Sequence, residues 1–132
     1  MTPIVRGMLI ALFVTSAASV TSADQSKPAI SRVMREKLQH SQAILAAVVT
    51  SDWKALDRES RQLALVTRDP AWIIALTDPA YLRQSDAFAE AVQKLIEASS
   101  RRDLEASGEA EVALTRSCVS CHIYMTRHRL AQ

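Results

Sequence analysis

Glycine is nearly missing from this chain. Among 132 residues only Gly7 and Gly108 lack a side chain, and no Asn-Gly or Asp-Gly pair occurs. Tight β-hairpins draw on such pairs for their positive-φ turn positions, so a fold built mainly of strands is excluded and an all-α fold is expected. Cysteine is equally scarce, with Cys118 and Cys121 the two present. They stand three residues apart, so a disulfide between them would close a very small loop and add little stability. Lys-rich runs are absent, and so is any interleaving of basic with aromatic residues. That removes the usual footprint of a nucleic-acid partner. Paired carboxylates, a Ser/His arrangement and a Gly-rich phosphate loop are also lacking, which leaves no evident enzymatic centre of those kinds.

What is present begins with a leader. Arg6 supplies a short basic region, Met8 to Val14 an apolar one, and Thr21-Ser22-Ala23 a small-residue cleavage site. Residues 1–23 therefore read as a secretory signal peptide, and residues 24–132 as the exported, periplasmic domain. The run from Met8 to Val20 is short for a bilayer span and is diluted by Thr15, Ser16 and Ser19, so stable membrane insertion after cleavage is not expected. The whole chain has 16 Lys+Arg against 14 Asp+Glu. Arg6 is the leader's sole charged residue, so the rest is nearly neutral and charge names no partner.

Four longer helices follow from apolar spacing and caps. The first is expected from Pro28 to Thr50, with Met34, Leu38, Ser41, Leu45 and Val48 forming one stripe. Ser51 or Asp52 caps a second, with Trp53, Leu56, Leu63 and Val66 on one face until about Arg68. Asp69-Pro70 places a capping carboxylate before a first-turn proline and starts a short helix through Trp72, Ile73, Ile74 and Leu76. Asp78-Pro79 repeats the device for a third long helix, with Leu82, Ser85, Phe88, Val92 and Leu95 up to about Ser99. Asp103 caps the last, which runs through Leu104, Val112 and Leu114 to the cysteines and beyond. An antiparallel four-helix bundle is the economical packing of these pieces.

The chemistry lies in Cys118-Val119-Ser120-Cys121-His122, the C-x-x-C-H pattern of covalent c-type haem attachment. Two thiols add to the two vinyl groups on one edge of a porphyrin, and the adjoining imidazole reaches the iron. At about 100° per residue, positions 118, 121 and 122 share one side of a helix. A zinc site would need further ligands, and His40 and His128 stand at no usual spacing. A thioredoxin-like pair would need a βαβ context. One covalent haem c is the expected cofactor.

A helical bundle with this motif near its C-terminus resembles the class II cytochromes c, the cytochrome c′ and cytochrome c-556 group. Across the exported domain the resemblance rests on Val33-Met-Arg-Glu-Lys-Leu38, the crossover between the second and third long helices, and Cys118-x-x-Cys-His122 followed by Tyr124. Many members carry a basic residue four positions after the haem histidine; here that place is Thr126, with Arg127 next to it.

The resemblance implies that a residue of the first helix approaches the iron opposite His122. Methionine there closes the site, as in the c-556 type, and an apolar side chain leaves it open, as in cytochrome c′. Met125 lies on the helix of His122, so Met34 is the distal candidate. Its ordinary alternative is core filler. Arg32 and Arg35 flank Met34 and are candidates for pairing with haem propionates, or are simply solvated. His40 and His128 read as surface histidines. The expected activity is one-electron transfer to redox partner proteins, with no enzymatic step. The alternative is a five-coordinate protein that binds NO or CO. A homodimer through the first helices is a further implication of the resemblance.

Overall fold

A computed structural model describes residues 22–74 and 78–130. Residues 1–21 of the expected leader, Leu76, and the side chain of His128 lie outside what is described. The described residues form five helices: α1 (Ser22–Thr50), α2 (Trp53–Val66), α3 (Pro70–Ile74), α4 (Pro79–Arg101) and α5 (Leu104–Leu130). No strand occurs among the described residues, and no helix of theirs is long and apolar enough to cross a membrane. The all-α expectation holds, and α1 begins earlier than Pro28.

The caps expected from sequence all form. Asp52 accepts from Ala55 N–H at 3.0 Å, Asp69 from Ala71 at 2.8 Å, Asp78 from Ala80 at 2.7 Å and Asp103 from Ala106 at 3.0 Å. Each carboxylate satisfies a backbone donor that the first helical turn leaves unpaired. Two connections repeat one design. At the end of α1, Ser51 takes φ 54°, Ser51 N–H bonds Val48 C=O and Asp52 N–H bonds Ala47 C=O. At the end of α4, Arg102 takes φ 53°, with matching bonds to Ser99 and, from Asp103, to Ala98. These are Schellman caps, a place where most proteins put glycine. A chain with so little glycine puts serine and arginine there, and the following aspartate starts the next helix at once.

The buried faces differ from the expected stripes by a rotation. On α1 the interior residues are Val33, Lys37, Ile44, Ala47 and Val48, while Leu38 and Leu45 are 59% and 48% exposed. Met34 and Ser41 are half-buried at the margin. Lys37 and His40 interrupt the true stripe with polar residues, so the more apolar neighbouring register is favoured on hydrophobicity alone. On α4, Tyr81 goes inward in place of Leu82. On α5, Ser107, Ala110, Leu114, Ser117 and Cys121 line the interior, whereas Leu104 and Val112 are exposed. These inward residues are mostly small and admit close approach by the α4 backbone. The remaining α2 and α4 expectations agree with burial of Leu56, Leu63, Val66, Phe88, Val92 and Leu95.

One core forms where α4 meets α5 and α2, and α1 meets α2, with sparser α1 contacts to α5 and α3. Trp72 of α3 is 1% exposed and stacks obliquely on Tyr81 and Phe88, with ring centroids 5.6 and 5.9 Å away. Its indole N–H donates to Ser85 Oγ at 3.0 Å.

The two left-handed caps generate a prediction. A non-glycine residue in that region costs about 1–2 kcal/mol, partly offset by the greater unfolded-state freedom of glycine. Ser51→Gly and Arg102→Gly should therefore each stabilise the chain by roughly 0.5–1 kcal/mol in urea titrations. Ser51→Ala should bring no such gain.

Candidate functional site around Cys118 and Cys121

Helix α5 carries the motif from the interior to the surface within two turns. Cys121 is buried, Cys118 is half-buried and packed against the core, and His122 is exposed. Both thiols are free. An open groove of about 460 Å³ on the outer side of α5 is lined by Cys118, Val119, His122, Ile123, Thr126 and Arg127. Cys118 thus belongs both to this groove and to the core. One turn beyond, Tyr124 donates to Asp78, whose other carboxylate oxygen caps α4. That bond fastens the motif-bearing end of α5 to the start of α4.

Opposite the thiols lies a group that the sequence reading passed over. Lys37 of α1 is 7% exposed, and its ammonium stands 3.6 Å from the centre of the Phe88 ring and 4.0 Å from that of Trp72. These ring faces are its partners, and it enters no ion pair among the described residues. Burial pushes its pKa down to about 8, and the nearby Cys118 and Cys121 act in the opposite sense. Burial likewise raises Cys121, against the pull of Lys37. Tyr81, whose buried hydroxyl has no hydrogen-bond partner among the described residues, is pushed up to about 12 by burial and by Cys121. Lys37, Trp72, Tyr81, Phe88 and the two thiols therefore form one electrostatic neighbourhood. Lysine inside an apolar stripe was the available signal, and Asp69-Pro70 was the signal that would place Trp72.

The other candidates are placed as follows. Met34 lies one turn before Lys37 and packs against the core. Arg32 donates to Asp69 at 2.7 Å and to Glu36 at 2.9 Å, which ties α1 to the cap of α3. Arg35 donates to Ser31 at 2.8 Å. His40 is partly buried, with Nδ1 2.8 Å from Glu59 of α2, so it is held between helices and is not a freely solvated side chain. Met125 is half-buried on α5. No group of three or more His, Cys, Asp or Glu converges among the described residues, as a zinc site would require. The donor set suits a haem better: two free thiols at the attachment spacing, an adjacent imidazole, and aromatic side chains with an unpartnered buried hydroxyl beside them. No known protein family, curated protein or solved structure matches this chain.

A buried, unpaired ammonium lowers the stability of the haem-free chain, and the loss depends on pH. Below about pH 8 both folded and unfolded states carry the charge, and the full burial penalty is present. Between about 8 and the ordinary 10.5 the folded chain has released the proton while the unfolded chain keeps it, so this contribution to stability rises with pH. Lys37→Met should stabilise the haem-free chain at pH 7 by roughly 1–3 kcal/mol. Denaturant titrations should show the gap between variant and wild type closing as pH rises towards 10.5.

Proposed function

We propose that this chain is an exported, mono-haem c-type cytochrome of the cytochrome c′ and c-556 kind, and that it carries single electrons between redox partner proteins in the periplasm. The observation that carries the reading is Cys118-Val-Ser-Cys121-His122 on an all-helical chain, with both thiols free, Cys121 buried and Cys118 shared between the α5 groove and the core. An antiparallel four-helix arrangement of α1, α2, α4 and α5 is part of the same reading.

Bound there, a haem supplies a one-electron iron couple. Cys118 and Cys121 would hold it through thioethers, and His122 would offer its imidazole nitrogen to the iron. Exposure of His122 leaves that side open to an approaching redox partner. Trp72, Phe88 and Tyr81 exclude water from the inner side, which raises the strength of every electrostatic contact there. Met34 of α1, packed against the same core, would supply a thioether sulfur to the iron. Methionine opposite histidine favours ferrous iron and raises the potential, as an electron carrier requires. Arg32 and Arg35 are engaged with protein partners, so either would have to exchange them to meet a propionate.

Protein matured in a host with haem-attachment machinery should have the mass of residues 24–132 plus one haem, and acid-acetone should extract none of it. Ferrous protein should be low-spin and bind carbon monoxide slowly. Met34→Leu should shift the ferrous form to high spin and admit the gas quickly, with attachment intact. Freely extractable haem, or none, would sink the cytochrome reading. Rapid carbon monoxide binding by the wild type would favour the five-coordinate NO- or CO-binding alternative.

A further inference from the structure

Lys37 is an expensive residue to keep where it stands. Its side chain is almost wholly enclosed, its ammonium faces two aromatic rings, and no carboxylate compensates it among the described residues. Cation–π contacts return only part of the cost of removing an ammonium from water. A Leu or Met would fill the same space without that penalty. The position therefore calls for a nitrogen.

Within the proposed haem site, its neighbours decide what that nitrogen can do. Lys37 is close enough to both Cys118 and Cys121 for mutual electrostatic influence. The thioethers hold the vinyl edge of a porphyrin, and the propionates leave from the opposite edge. A side chain beside both cysteines is therefore badly placed to pair with a propionate and well placed above the ring. Lys37 and Met34 lie three residues apart on α1, hence on one face of the helix. Two donors of different character, an amine and a thioether, consequently address one side of the site. Amine nitrogen is the harder donor and suits ferric iron, whereas the softer thioether suits ferrous iron.

We infer that Lys37 is a second distal ligand, its amine holding the sixth position of the ferric iron and yielding it to Met34 on reduction. The inference rests on the cytochrome reading. Coordination through nitrogen requires the ammonium to lose one proton to solvent. When an electron arrives from the redox partner, the iron–nitrogen bond breaks, the amine takes a proton back, and the Met34 sulfur binds.

The test compares ferric wild type with Lys37→Arg by near-infrared magnetic circular dichroism, electron paramagnetic resonance and redox titration. A pyridine haemochrome assay is run first on each protein. Arginine keeps a cation over Trp72 and Phe88, yet it stays protonated and cannot ligate. A purely structural role would therefore survive the change. The expected ferric wild type is low-spin without the red charge-transfer band of Met–iron ligation. In Lys37→Arg that band should appear and the potential should rise. Wild type uniformly labelled with isotopic lysine nitrogen should show hyperfine coupling to one lysine, a readout that stands even if the variant fails to accumulate. A methionine band already present in ferric wild type, or a high-spin ferric wild type, overturns the inference and leaves the cytochrome reading standing. A negative haemochrome assay overturns both.

Discussion

The Trp72 indole is the contact on which the interior is arranged. It sits in a helix of only five residues, too short to persist without tertiary support. Asp69 caps that helix and is held in turn by Arg32 from α1. Thus fixed, the ring meets Tyr81 and Phe88 of α4, bonds Ser85, and offers its face to Lys37 of α1. One side chain joins three helices, and in doing so it packs on Tyr81 and Lys37, the two groups that share an electrostatic neighbourhood with Cys121. Loss of the indole would remove an aromatic cluster, a buried hydrogen bond and half of the cradle around an ammonium.

The caps show how a chain poor in one residue solves a geometric requirement with others. Helix ends that turn sharply need a left-handed residue, and Ser51 and Arg102 serve. The aspartate after each starts the next helix, so only two residues separate α1 from α2 and α4 from α5. Short connections keep those helix pairs in contact along their lengths. They leave the longer α2–α4 connection to carry Trp72 inward.

Reading burial from hydrophobicity worked for α2 and much of α4, where Leu56, Leu63, Phe88, Val92 and Leu95 go inside as their spacing implies. It failed on α1 because the most apolar stripe is not the buried one. Leu38 and Leu45 face outward, and the inward register contains Lys37, with His40 bonded to Glu59 beside it. Those polar residues lowered the apparent hydrophobicity of the buried face in the same place where they make the site unusual. On α5 the inward residues are serine, alanine and cysteine, whose pattern is weak because small side chains carry little apolar area.

By itself the sequence determined the helical class, the aspartate caps at Asp69, Asp78 and Asp103 and the thiol–thiol–imidazole spacing, since each depends on residues within a turn or two of one another; it left the cap of α2 between Ser51 and Asp52, and the structure gives it to Asp52. Tertiary structure alone decided which face of α1 is inside. It also decided that Cys121 is buried while His122 is exposed, and that an ammonium, an indole and two thiols share one neighbourhood. The physical reason is separation along the chain. Lys37, Trp72, Phe88 and Cys121 lie on four different helices, and no local propensity or periodicity links them until packing brings their faces together.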